Sequence, residues 1–184
     1  MSSITPRSIL DFWFKEIDQK LWFVADAAFD AEVKARFEQI WRDAREGKFS
    51  AWEDDKEGTL ALIILFDQFP RNMFRGTGEA FSTDASARRI AKHALARGDD
   101  LEAPASVRNF YYLPLTHSED LTDQEMCVRL TRERLGESHY SYPYALRHRA
   151  SVERFGRFPA RNSALNRETT PEEADFLKTN PSGF

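Results

Sequence analysis

The run Tyr111-Tyr112-Leu113-Pro114-Leu115-Thr116-His117-Ser118-Glu119 sets an imidazole, a hydroxyl and a carboxylate side by side after an aromatic and apolar stretch. An imidazole titrates near neutrality, so His117 suits a general base, with Glu119 as its orienting partner or a second base. The same residues also suit a plain helix entrance, with Ser118 as the cap and His117 a half-buried ring. A Ser-His-acid triad is not indicated. No serine lies in a nucleophile elbow, and three adjacent residues cannot take up triad geometry.

Two other segments resemble each other: Phe66-Asp67-Gln68-Phe69-Pro70-Arg71-Asn72 and Phe155-Gly156-Arg157-Phe158-Pro159-Ala160-Arg161-Asn162. Each puts Phe-Pro at a helix end and Arg-Asn just beyond it. A proline leaves carbonyls of the preceding turn without their usual donor, and a nearby arginine and asparagine can satisfy them or present donors into a cleft. Asp67 and Arg71, four residues apart, are spaced to pair. The second segment lies in an arginine-rich stretch, residues 143–167, with six arginines, one glutamate and no lysine, a local net charge of +5. Arginine is the side chain that grips a carboxylate or phosphate through two parallel hydrogen bonds. A solvated basic face and a structural network of paired charges are the competing readings.

Other chemistry finds less support. His117, Glu119 and His148 offer nitrogen and oxygen ligands, but no His-x-x-x-His or Glu-x-x-His pair fixes two of them on one helix face, so neither metal nor cofactor is expected. Cys127, the single cysteine, sits among apolar residues and reads as core. Gly76 and Gly78 lack the Walker spacing and read as a turn, and Trp13, Trp22, Trp41 and Trp52 fall at helix-stripe or helix-end positions.

The elements that must hold these residues are helical, because apolar residues recur at three- and four-residue steps and no strand alternation stands out. Thr5-Pro6 opens a short first helix. A second runs from about Asp26 to Gly47, and a third, apolar nearly all round, from about Asp55 to Phe69, ended or kinked by Pro70. Ser82 to Asp84 should cap a helix that Gly98 closes, and Asp99-Asp100 should open a loop. Further helices follow Pro104, span about Glu119 to Leu135 with a Thr122–Glu125 capping box, span Pro143 to Phe155, and run from a Thr170–Glu173 box to about Lys178. The stretch 179–184 is expected to be loose. Short connections favour antiparallel hairpins, stacked as a tetratricopeptide-like superhelical layer or as an irregular bundle. One all-α domain over residues 1–184 is the expected organisation.

Composition fits such a domain. The chain has 184 residues, 41% of them hydrophobic and 30% charged, with 26 basic against 30 acidic residues and a net charge of −4. A net negative chain has no overall field for nucleic acid or an anionic membrane, and neither is an expected partner. One cysteine excludes an internal disulfide and suits the cytoplasm. The opening residues lack a basic start followed by a long apolar run, and the apolar stretch Leu60–Phe66 is too short to span a bilayer.

Taken together, Leu10-Asp11-Phe12-Trp13-Phe14, Trp22-Phe23, the segment from Phe66 through Asn72 to Gly76, Tyr112 to Glu119, and Arg154 to Asn162 resemble a bacterial family of uncharacterised helical proteins, a domain of unknown function with a tetratricopeptide-like fold. The resemblance spans nearly the whole chain. It implies that Asp67, Gln68, Arg71, Asn72, His117, Glu119, Arg157, Arg161 and Asn162 form a shared feature, and it brings no activity with it. The family pattern commonly has a histidine where this chain has Ala160, so a mechanism built on that imidazole would not operate here.

Three functions follow from these residues. The leading one is a polar cleft binding a small anionic molecule or peptide carboxylate through Arg71, Arg157 and Arg161, with Asn72 and Asn162 orienting it and Asp67 and Gln68 among the ligand-binding residues. The second is a tetratricopeptide-like interaction module in which the motifs are internal ties. The third is a hydrolase-like enzyme using His117 and Glu119.

Overall fold

The computed structural model describes residues 4–184; residues 1–3, the start of the expected domain range and of the opening stretch, lie outside the described residues. Regular structure among the described residues is entirely helical, with no strand. No described helix is long and apolar enough to cross a membrane. The chain divides into two compact units, the first ending at Asp100 and the second Leu101–Phe184.

In the first unit, α1 (Pro6–Asp11) begins at Thr5, whose side chain accepts the Ser8 N–H, with Pro6 in the first turn. The π-helical turn Phe12–Glu16 then carries Phe12 and Trp13 into the core. Helix α2 (Ala27–Arg45) is capped by Asp26, which accepts the Phe29 N–H at 2.8 Å. Its Phe29, Val33, Phe37, Trp41 and Ala44 are buried, the one-sided stripe read from the sequence. Phe12, Phe37 and Phe69 form an aromatic centre, with ring centroids 4.7 Å apart for Phe12–Phe37 and 4.5 Å for Phe37–Phe69.

The expected helix from Asp55 to Phe69 is split. Helix α3 (Lys56–Ile63) gives way to a π-helical turn, Ile64–Gln68, and then to α4 (Phe69–Met73). Pro70 lies inside this helical run and does not end it. Having no N–H, it leaves the Phe66 carbonyl without its helical donor. Thr83 supplies the replacement: its Oγ1 donates to that carbonyl at 2.7 Å and receives the Trp41 indole N–H at 3.2 Å. Thr83 therefore does not cap α5 (Asp84–Arg97) with its side chain, as expected from the sequence. Gly98 closes α5 in the left-handed conformation, and Asp99 starts the short α6 (Asp99–Glu102) where a loop was expected.

The second unit contains α7 (Ala105–Arg108), α8 (Leu113–Thr116), α9 (Leu121–Arg134), α10 (Ser141–Phe155) and α11 (Pro171–Thr179), with α9 and α10 packed as a hairpin. At the end of α8 the buried Gln124 amide meets the carbonyls of Leu115, Thr116 and Ser118 at 3.2, 2.7 and 2.6 Å, the first of which also accepts the Ser118 N–H at 3.1 Å. Helix α9 is capped by Asp120, which accepts from the Thr122 and Asp123 N–H groups, and not by the expected Thr122–Glu125 box. Ser118 donates to Asp123 at 2.8 Å and accepts the N–H of Asp120, the capping residue itself, at 3.2 Å. Cys127 is core: burial pushes its thiol up, against the lowering effect of hydrogen bonds from Thr116 and Thr131.

Candidate functional site

The Phe66–Asn72 segment of the first unit closes on itself. Asp67 is fully buried on the π-helical turn, where Gln68 donates to its carboxylate at 2.5 Å. Arg71 reaches the Asp67 carbonyl at 2.6 Å and carboxylate at 3.3 Å, and forks onto Asp84 at 2.8 and 3.0 Å. Burial alone would lower the Arg71 guanidinium, but the Asp67 and Asp84 charges outweigh it and raise its affinity for the proton. Asn72 and Arg75 both go to Asp30, the amide at 2.9 Å and the guanidinium at 2.6 and 2.8 Å. Burial pushes Asp30 up, yet these donors hold it below the usual carboxylate range. Asp84 and Asp30 were the partners the sequence did not reveal, since they arrive from α5 and α2.

The second unit ties its arginines to distant carboxylates. Arg157 forks onto Glu173 at 2.6 and 2.8 Å, and Glu173, 2% exposed, also accepts the Thr170 N–H at 2.8 Å in the expected capping box. The Arg157 hydrogen bond, against burial, holds the Glu173 carboxyl down at about 2. Asn162 donates to Glu173 at 3.1 Å and to Thr169 at 3.3 Å, an orientation that leaves its Oδ1 buried without a hydrogen-bond partner. Glu119 accepts two bonds from Arg167, at 2.7 and 2.9 Å, and the Phe158 N–H at 2.9 Å. Burial would raise Glu119, but Arg167, that N–H and the charge of Arg161 lower it. A general base needs a raised carboxyl, so this environment runs against that role for Glu119. Arg154 pairs with Glu172 and Arg149 with Glu153, so much of the +5 stretch is matched by acids.

Arg161 is placed differently. Its Nη2 donates to the His117 carbonyl at 3.0 Å, and its guanidinium lies over the Phe158 ring, 4.6 Å from the centroid. His148 meets the same ring edge-on at 5.5 Å, and the His117 and His148 ring centroids are 6.5 Å apart. His148 Nδ1 lies 2.8 Å from the Tyr144 carbonyl. A carbonyl only accepts, so Nδ1 carries the hydrogen in the neutral ring and the lone pair belongs to Nε2. Arg161 and His148 thus meet at one aromatic ring, with the His117 ring beside His148. No group of three metal-ligating side chains occurs among the described residues.

Residues 179–184, expected to be loose, lie against this cluster. Ser151 Oγ donates to the Gly183 carbonyl at 2.8 Å, and the Phe184 ring stacks on His148 with centroids 3.7 Å apart.

The family model for "Bacterial protein of unknown function (DUF924)" matches residues 9–181. The chain belongs to this family. A solved structure similar to it is that of a protein of unknown function, ATU0120, from Agrobacterium tumefaciens: 41% identical, covering 95% of this chain and 97% of that one, with a TM-score of 0.88. No curated protein matches.

In this DUF924 member the expected site residues fall into two sets, each within its own unit: Asp67, Gln68, Arg71 and Asn72 in the first, and His117, Glu119, Arg157, Arg161 and Asn162 in the second. The sequence reading missed Phe158, Ser151 and Phe184, which carry no ionisable group to attract notice. It considered His148 only as a metal ligand. Glu173 was visible through the Thr170-x-x-Glu173 spacing, but its long-range partner Arg157 was not.

Proposed function

We propose that the second unit binds a small anion, a carboxylate- or phosphate-bearing molecule or a peptide carboxylate, at the cluster of Arg161, His117 and His148. The observation that carries this reading is that the Arg161 guanidinium lies over Phe158, with the His148 ring edge-on to the same ring and the His117 ring 6.5 Å from that of His148. Arg161 has five N–H groups in a fixed fork, suited to two oxygens of one anion. Each imidazole, on taking a proton, adds positive charge and a second donor.

In this proposal Asp67, Gln68, Arg71 and Asn72, together with Arg157, Asn162 and the Glu119–Arg167 pair, are ties that hold the two units' helix ends. Their role is positioning: Arg167 and Glu119 fix the Phe158 backbone, and with it the ring against which Arg161 and His148 lie. The proposal keeps the tetratricopeptide-like stacking, supported by the α9–α10 hairpin, and a cytoplasmic setting, supported by the single buried cysteine. The hydrolase reading is weaker, because Glu119 is held ionised by Arg167. The test is titration of the parent and Arg161→Ala with inorganic phosphate and with acetate, followed through the His117 and His148 ring resonances. Saturable shifts in the parent that vanish in Arg161→Ala support the site; identical responses in both contradict it.

A further inference from the structure

We propose that Phe184 is a placeholder for part of the ligand: the anion taken by the second unit carries a flat aromatic or heteroaromatic ring, which stacks on the His148 imidazole where the Phe184 phenyl ring now lies. This rests on the anion reading above and narrows its ligand class.

The platform is set before any ligand arrives. The Nδ1 bond to the Tyr144 carbonyl and the edge of Phe158 fix the plane of the His148 ring. Phe184 covers one face of it, tilted by 27° at 3.7 Å, the stacking that two flat rings adopt. The chain that brings Phe184 there is held by a few specific contacts. Asn180 Nδ2 caps the end of α11 by donating to the Phe176 carbonyl at 3.1 Å, and the Gly183 N–H closes a turn on the Asn180 carbonyl at 2.8 Å. Ser151 then holds the Gly183 carbonyl. Gly183 sits at φ +85°, and a Cβ there would come within 2.7 Å of the Ala160 Cβ, so only glycine lets the backbone lie this close to the Pro159–Arg161 turn.

The last residues, tied to α10 by the Ser151 hydrogen bond and the His148 ring stack, form a short element that can open locally without the rest of the fold. What it uncovers is an aromatic-sized face on His148, near the Arg161 guanidinium and the His117 ring. A ligand with a ring and an anionic group engages both together. A bare anion engages only the second and gains nothing from displacing Phe184.

The experiment uses the full chain as parent, Phe184→Ala and Gly183→Ala, titrated with inorganic phosphate, benzyl alcohol and phenyl phosphate, and followed through the His148 ring resonances. Phe184→Ala is expected to bind phenyl phosphate about tenfold more tightly than the parent does, because removing an internal competitor raises the fraction of open site. It is also expected to bind phenyl phosphate more tightly than inorganic phosphate, with Gly183→Ala moving in the same direction. If Phe184→Ala binds the two phosphates equally, the placeholder is overturned and the anion site stands. If benzyl alcohol shifts His148 while neither phosphate binds, the ring seat stands and the anion reading falls. If no probe moves His148 in any variant, both are overturned.

Discussion

The segments Phe66–Asn72 and Phe155–Asn162 carry the same Phe-Pro and Arg-Asn spacing into different surroundings. In the first, Arg71 is enclosed by Asp67 and Asp84, and Asn72 by Asp30, so positive groups are met by carboxylates of the same unit. In the second, Arg157 and Arg167 fork onto Glu173 and Glu119, and Arg161, whose charge also acts on Glu119, donates to a backbone carbonyl and lies over an aromatic face. A local motif sets which groups emerge at a helix end. What they meet there decides between tie and site, and that depends on which acidic residue a distant helix delivers.

The largest effect should fall on the enclosed member. Arg71→Ala strands the buried Asp67 charge and should cost on the order of 3–5 kcal/mol of unfolding free energy, read from denaturant midpoints. A loss under about 1 kcal/mol would make Arg71 an exposed site residue and erase the contrast.

Next comes Arg157→Ala, with a smaller drop in denaturant midpoint than Arg71→Ala, since charge-assisted hydrogen bonds to Glu173 are lost while water screens the quarter-exposed guanidinium. The same pair makes a pH prediction. Glu173 falls from the ordinary 4.5 to about 2 on folding. Its contribution is therefore fully present above about 4.5 and is lost as pH falls through about 2. The stability gap between the parent and Glu173→Gln should accordingly shrink over that window, and a gap constant with pH would show that the pair does not hold the proton off.

Arg161→Ala should cost about 1 kcal/mol or less, because Glu119, which its charge also reaches, keeps its two bonds from Arg167. The exposed pair Arg154–Glu172 sets the floor, with Arg154→Ala within about 0.5 kcal/mol of the parent. If Arg161→Ala instead falls as far as Arg71→Ala, the two segments are both ties.

The sequence was most legible where neighbours in the chain decide the outcome. Asp26, Asp55 and Thr170 cap their helices, Gly98 and Gly156 end theirs in the left-handed conformation, and the α2 stripe faces the core. It was least legible where a side chain serves a distant carbonyl. Thr83 answers the carbonyl that Pro70 leaves open, a demand set seventeen residues earlier at Phe66, and so abandons its own helix. Gln124 does the same for α8. The candidate site follows this division: the arginines, His117 and the Asp67–Arg71 spacing stood out, whereas Asp84 beside Arg71 and Glu173 beside Arg157 depended on packing. Phe184 looked like part of a loose end because its partner, His148, lies a helix away.

The most direct test is the melting temperature of the parent, Arg161→Ala and Arg71→Ala with and without inorganic phosphate, since a ligand that binds the folded state raises it by mass action. The account predicts that phosphate stabilises the parent, that Arg71→Ala melts much earlier yet keeps the phosphate increment, and that Arg161→Ala melts near the parent and loses it. Equal stabilisation of Arg161→Ala and the parent would contradict an anion site built on Arg161.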